Sequence, residues 1–579
     1  MKINVHMFVF IFIALITIVN DILIYFLNLN YNVSLLISFV LVLIISLVMV
    51  KKEKVKIFNN FEKKDLIFLV PYVIFVGCLM LSCDQRLDTF NYHLYTQKNF
   101  FNDKINFDRL LSCAFFFPLG DRMAYIFRYF LGYRIGMILS SYTLIVLFYQ
   151  VKSILNEIYP ENKGKMLTVI LSGFVLFTAT PNWRNTTFHI DNFSMIILLE
   201  MIYIFIKKEN VFENKMNLYY LALLVGISTG IKIVNAVLGC TIILIICIRD
   251  IKFLKNIKIK DVFLCIFLCL IPFAIYMLDN YIQTGNPIFP FLNNIFKSEY
   301  YNLSDGTDDR FGIPTIWHAF IWPVSVTLDP LLGFDYEAFR EPLWGIGYII
   351  CVINSIVLLK KRNDIWKLSM LGIVLSLMWA IFMNGYTRYA LVIPMLFYII
   401  IVAMVMKVIN GFDYSSVFKI IKDTIVLILL VSVLLICIMM GLYVILIRTT
   451  EAYYGRIDYE NYSVEDEVYE IDGVWATVYF NAGMIDAIRE ETTPIYNLDI
   501  SRGINSNTSN IPKDIQNEIL DELKTKRVYT VTTDVLYGEM LECLDAYGYE
   551  IIEEYEYKNS KIQNIDNKWY ILEIKSAEI

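Results

Sequence analysis

Charge is scarce in this chain. Only 18% of its 579 residues are Asp, Glu, Lys or Arg, while 57% are hydrophobic. A soluble core saturates with size and then splits into domains, so a soluble fold of this length has no use for so much apolar residue. Histidine is scarcer still, at four residues. The ten cysteines lie mostly inside apolar runs, without paired spacing and without accompanying histidines. They signal neither a disulfide framework nor a zinc site. A glycine loop of the kind that cradles nucleotide phosphates is also lacking, so a soluble nucleotide donor is not indicated. The first apolar run, MFVFIFIALITIVNDILIYFL, has no basic leader and no small-residue cleavage site, and reads as a retained anchor.

What is present is a succession of apolar runs about twenty residues long, the length that crosses a hydrocarbon core. The pattern predicts an α-helical polytopic membrane protein of about thirteen spans. They fall near residues 7–27, 33–50, 66–83, 133–151, 166–180, 190–206, 217–232, 234–248, 262–279, 342–359, 367–383, 388–406 and 422–447. The connections KKEKVKIFNNFEKK, KKENVFENK, RDIKFLKNIKIK and KKRNDIWK are all basic, and they alternate with connections that are acidic, aromatic or very short. Short basic loops stay in the cytoplasm, which predicts a cytoplasmic N-terminus and an extracytoplasmic C-terminus; heavy use of Ile, Lys, Asn and Tyr with little Ala points to an AT-rich bacterial genome, hence a bacterial plasma membrane. The expected transmembrane domain runs over 1–449, with a first outer loop at 84–132 and a long outer loop at 280–341. Residues 450–579 lose hydropathy and carry about two acidic residues for each basic one. There GVWATVYF, KRVYTVTT and KWYILEI have strand character, while DIQNEILDELKT and VLYGEMLECLDAYG have helical spacing. That predicts a small C-terminal α/β extracytoplasmic domain.

The outer connections collect the polar chemistry. CDQRLDTFNYHLYTQKNFF leaves an apolar run and at once presents Asp84, Asp88, Tyr92 and His93. Asp84, with Arg86 beside it, reads as a structural or capping carboxylate. Asp88 sits one turn before Tyr92 and His93, which places a base, a hydroxyl and an imidazole within mutual reach. The following aromatic segment, through LGDRMAYIFRYF, is too polar to span and reads as interfacial helix. TPNWRNTTFHID supplies Trp183, Arg184 and His189 and opens a span with Asp191, whose plain reading is a favourable charge at a helix N-terminus. Lys232, in VGISTGIKIVNAV, emerges between two closely spaced spans. It reads either as a snorkelling side chain or as a phosphate-binding cation, and Arg388 in NGYTRYALVIP reads the same two ways. DGTDDRFG at 305–312 lacks the spacing and terminal glutamate of an EF-hand.

In order, spacing and sidedness, DTFNYH (88–93), HIDNFSMIILLEMIYIF, LLVGISTGIKIVNAVLG, TGNPIFPFLN and TRYALVIPML resemble the GT-C glycosyltransferases. These are polytopic enzymes that use polyprenyl-phosphate sugars, and they include the dolichyl-phosphate-mannose–protein mannosyltransferases and their bacterial relatives. The likeness covers roughly residues 66–410. It implies that Asp88, Asp191 and His93 are catalytic, that Lys232, Arg388 and Arg184 receive the lipid phosphate, and that Tyr92, Trp183 and His189 meet sugar or acceptor. Trp317 and Trp322 are further rings that could stack on sugar.

The implied function is transfer of a hexosyl or pentosyl group from a polyprenyl-phosphate donor to a glycan, lipid or protein acceptor of the cell envelope. The partners are then that donor, that acceptor and the bilayer, with no nucleic acid. Other lipid-linked glycan assembly, by a polymerase or ligase, and a transporter or flippase are the alternative readings. No cofactor is expected. The first loop has no D-x-D or D-E pair, so metal dependence is not carried over with the resemblance, and a divalent metal stays open.

Overall fold

The computed structural model describes residues 1–52, 54–99, 115–207, 214–252, 257–303, 315–332, 342–411, 417–456, 468–478, 481–490, 493–498 and 513–577. Every apolar segment expected to span contains a helix. Among the described residues, six helices are long and apolar enough to cross a membrane, or seven if Ile259–Leu270 and Ala274–Thr284, bent 64° apart, form one span. The remaining apolar helices are shorter, and one of them, Ile316–Leu328, lies inside the stretch read as an outer loop. Thirteen residues with Pro323 in their midst are too few to show as a span in a hydropathy profile. DGTDDRFG, with Asp308 and Asp309, lies outside the described residues.

Burial separates inner helices from outer ones. All sixteen residues of Asp191–Ile206 are buried, the condition of a helix apolar on every side and enclosed by others. Tyr31–Lys51 buries only Ser34, Leu35, Ser38 and Val42 and exposes Leu36, Ile44 and Leu47, which are side chains suited to lipid. The bundle is a multi-pass membrane fold. Ion pairs among the described residues are sealed within it. Arg122 holds Asp21 at 2.8 Å, where the Tyr276 hydroxyl also donates, and Lys152 reaches Asp65 at 2.8 Å.

The C-terminal residues build a five-stranded sheet in the order Ile495–Asn497, Val474–Thr477, Val528–Thr533, Trp569–Ser576, Tyr549–Tyr557. The first three strands are parallel and the last two run antiparallel to their neighbours, with Thr530 opposite Leu572. Trp475 and Trp569 are wholly buried in its core. That core is shared with the first loop: the Phe90 ring meets Trp569 edge-on at 5.3 Å. The segment 560–567 then straps the loop's backbone. Asn564 accepts from the Cys83 N–H at 2.7 Å and donates to the Cys83 carbonyl at 3.0 Å, while Gln85 donates to Ile562 and accepts from Asn567.

The short helix Ala482–Ile488 lies directly on that loop. A Cβ on Gly483 would stand 2.7 Å from the Phe90 carbonyl oxygen and 2.9 Å from that of Thr89. Gly483→Ala is therefore expected to destabilise by about 1–3 kcal/mol through overpacking. Gly538→Ala, whose Cβ would meet nothing within 4 Å, is expected to be neutral or stabilising. Thermal unfolding of the purified protein in lipid checks both; equal effects would contradict the close approach.

Candidate active site

Four chain segments meet at the end of the bundle that carries the sheet. The first is Thr89–His93, which forms a π-helical turn in which the Leu94 N–H bonds the Thr89 carbonyl, an i→i+5 closure. Such wide turns shift side-chain facing and recur at functional sites. Asp84, one step earlier, is 6% exposed and fully engaged: it accepts from the Thr89 hydroxyl at 2.6 Å, the Phe188 N–H at 2.9 Å and the Arg86 N–H at 3.2 Å. That is the structural role its sequence setting suggests.

Asp191, the first residue of its enclosed helix, is the centre of the site. Its Oδ1 receives Lys232 Nζ at 2.8 Å; its Oδ2 receives Arg184 Nε at 2.8 Å and Arg388 Nε at 3.5 Å. Both carboxylate oxygens are thus occupied by cations, with only 2% of the side chain exposed. The helix-terminus effect is worth about 0.3–2 kcal/mol, whereas stripping a buried pair of its partner costs about 3–5 kcal/mol. Ion pairing decides the residue's place.

Arg388, in the turn Thr387–Tyr389, extends the network. One Nη pairs with Asp88 and lies 3.0 Å from His189 Nδ1. Lys232 stands 3.3 Å over the Tyr389 ring. Burial acts to raise the Asp88 carboxyl, but Arg388, with His93 and Lys232, outweighs it and holds the group below its usual value. His189 is driven well below the ordinary imidazole range, first by burial and then by Arg388, His93 and Arg86.

His93, 1% exposed, holds Asp121 Oδ1 at 2.7 Å through Nδ1 and stacks beside Tyr92 with ring centres 4.2 Å apart. Asp88, His93 and His189 can each bring one ligand atom within 4.8 Å of the others. They do not suit a divalent cation. A guanidinium can only donate, so His189 Nδ1 accepts from Arg388, and the neutral ring then carries its proton on Nε2. That Nε2 is sealed from solvent without a partner, and it offers a donor in place of a lone pair. Asp88 is already engaged by Arg388, and Lys232 and Arg184 join Arg388 around Asp191. The donor set suits an anion.

A cavity of about 570 Å³ opens beside this cluster. Lys232, Asp121, Tyr92 and Tyr389 line its polar end, and Val237, Ile231, Phe117, Trp379, Phe382 and Met383 are among its apolar walls.

Of the nine residues to which the resemblance gives a site role, eight come together here: Asp88, Tyr92, His93, Arg184, His189, Asp191, Lys232 and Arg388. Trp183 lies to one side, under the Arg86 guanidinium at 5.4 Å. Trp322 packs in the core against Trp344, and Trp317 is 75% exposed on the same helix, so neither joins the site. Sequence reasoning missed Asp121, against His93, and Tyr389, under Lys232.

No protein-family model matches this sequence, and no curated protein matches it. Solved structures do. The chain is similar to the crystal structure of ArnT from Cupriavidus metallidurans bound to undecaprenyl phosphate, with a TM-score of 0.50 at 10% identity over 88% of this chain and 97% of that one. The apo form of the same protein gives a TM-score of 0.50 at 10% identity, over 87% and 97%. This chain accordingly shares the fold of those structures.

Removing the central carboxylate tests the geometry directly. Asp191→Asn leaves Lys232, Arg184 and Arg388 without a shared counter-ion, and an expected loss of about 3–5 kcal/mol follows. It would be read as a clear fall in the thermal midpoint; an unchanged midpoint would contradict the central place given to Asp191.

Proposed function

We propose that this chain is a membrane glycosyltransferase that moves a sugar from a polyprenyl-phosphate donor to an acceptor hydroxyl of the cell envelope, on the extracytoplasmic face. The observation that carries the reading is Lys232, one cation of the cluster around Asp191, standing at the polar end of an apolar cavity, with a partly exposed carboxylate, Asp88, beside the cluster. A polyprenyl-phosphate sugar has matching chemistry: an apolar chain for the walls and an anionic phosphodiester for Lys232 and Arg388, whose second negative charge develops as the sugar leaves. The solved relative's complex with undecaprenyl phosphate supports the same donor class. The basic connections along the sequence support the outward placement.

The transfer forms one bond and breaks one. The acceptor oxygen bonds the anomeric carbon as the carbon–oxygen bond to phosphate breaks, and the leaving phosphate takes the electron pair. The acceptor proton passes to a base. Asp88 has 23% of its side chain exposed, against 1% for His93, and it is the carboxylate an acceptor can reach. In the free enzyme Arg388 keeps Asp88 ionised but weakly basic. An arriving phosphate competes for that guanidinium, and as Arg388 turns to it Asp88 gains basicity where the hydroxyl must be deprotonated. Asp191 stays behind as the fixed counter-charge that holds Lys232 and Arg388 in position. His93, anchored on Asp121, fills the adjacent corner and keeps Tyr92 in place. An electrostatic clamp of this kind, set before the reaction begins, stabilises the departing phosphate without reorganising during the step.

Incorporation of labelled sugar from polyprenyl-phosphate donors by purified protein in lipid tests the reading. Asp88→Asn is expected to lower transfer by about 10²–10⁴-fold while the thermal midpoint holds; retained transfer would remove Asp88 from the chemistry. Affinity for undecaprenyl phosphate should also depend on the charge of Lys232: Lys232→Met is expected to weaken it and Lys232→Arg to keep it, and equal affinity in all three proteins would exclude Lys232 from the donor seat.

A further inference from the structure

Beside the cluster around Asp191, and outside the apolar cavity, lies a second group of cations that the transfer scheme does not use. Arg86 leaves the first loop with its guanidinium over the Trp183 ring. Its Nη1 is sealed from solvent and has no hydrogen-bond partner, and among the described residues no carboxylate forms an ion pair with it. The two nearby acids are already engaged. Asp84 spends both oxygens on the Thr89 hydroxyl and on backbone N–H groups, and Glu451 accepts from Arg448 at 3.0 Å. Arg448, from the last long helix, donates its Nη2 to the Asn185 carbonyl at 3.2 Å and leaves its own Nε buried without a partner. Burial, with Arg448 and Arg184 adding to it, pulls the Arg86 guanidinium down to about 9.

An unpaired guanidinium held against further cations is costly to keep. A folded protein that carries one gains when an anion completes it, and a guanidinium resting on an indole face is well ordered to grip an oxyanion through its N–H fork. The donor phosphate has its own seat at Lys232, inside the cavity. Neither Arg86 nor Trp183 lines that cavity, and Arg184, bound to Asp191, is the near neighbour on that side.

We propose that Arg86 and Arg448, with the Trp183 ring, form a second oxyanion-binding lobe that seats a phosphate or carboxylate group carried by the acceptor. The assignment to the acceptor rests on reading the Lys232 lobe as the seat of the donor. It narrows the acceptor class to molecules with an anionic group close to the hydroxyl that is glycosylated, and it makes Arg86 a specificity residue.

The test is thermal unfolding of the full chain in lipid nanodiscs, with wild type, Arg86→Met and Lys232→Met compared in the presence of millimolar inorganic phosphate or of undecaprenyl phosphate. Without ligand, Arg86→Met is expected to melt no lower than wild type, because an uncompensated charge has been removed. Inorganic phosphate should raise the midpoint of wild type and of Lys232→Met, and this shift should be lost in Arg86→Met. Undecaprenyl phosphate should raise wild type and Arg86→Met alike. A lower midpoint for Arg86→Met with its phosphate shift intact would make Arg86 a structural residue and overturn the proposal. A phosphate shift that is absent, or equal in all three proteins, would also overturn it. Loss of the undecaprenyl phosphate shift in Arg86→Met would overturn it by placing Arg86 in the donor seat. If undecaprenyl phosphate shifts none of the proteins, the donor reading fails, while the phosphate comparison still decides whether Arg86 binds an oxyanion.

Discussion

A carboxylate buried in the first turn of a wholly enclosed helix cannot stand alone, and the arrangement around Asp191 follows from that constraint. Desolvation of the acid has to be offset by cations brought to it, and those cations come from residues 184, 232 and 388, in three separate connections between helices. Each cation is in turn too buried to stand without the acid. The result is a set of mutually dependent charges that fixes the relative positions of the helix ends. Arg388 is the member with two allegiances, because it also reaches Asp88 and His189. It can change partner while Asp191 still holds the rest.

The C-terminal sheet controls where Asp88 stands. Residues 83–90 have little regular structure of their own; their backbone groups find partners in Asn564 and Asp84, and the Gln85 side chain bridges to Ile562 and Asn567. Phe90 meanwhile enters the sheet's core at Trp569. Flexibility in this loop would blur the position of Asp88, and a displacement of about 1 Å is enough to cost a reaction of this kind two orders of magnitude.

The helical bundle was legible because its physics is local: apolar length marks where each helix lies, and lysines punctuate the connections. Three strands showed through their alternation, whereas YEIIEEYEY, the edge strand Tyr549–Tyr557, was hidden by its acidic composition. The helix Ala482–Ile488 is only seven residues long, too short for a periodicity to show. In the site, the residues on DTFNYH, TFHID, GIK and YTR stood out because charge and imidazole are rare next to apolar runs. Asp121 did not, since LGDRMAY reads as an ordinary amphipathic helix until His93 is seen 2.7 Å away. Arg86 looked like a partner for Asp84. Only the three-dimensional hydrogen bonding shows that Asp84 is spent elsewhere, and no sequence spacing encodes that.

The bonds between Cys83 and Asn564 join residues 481 positions apart in the chain. During synthesis, therefore, the bundle can be inserted and its charges paired long before the segment that steadies Asp88 has been translated. Insertion of the helices and seating of the first loop are in that sense separate events, ordered by the distance in sequence between Cys83 and Asn564.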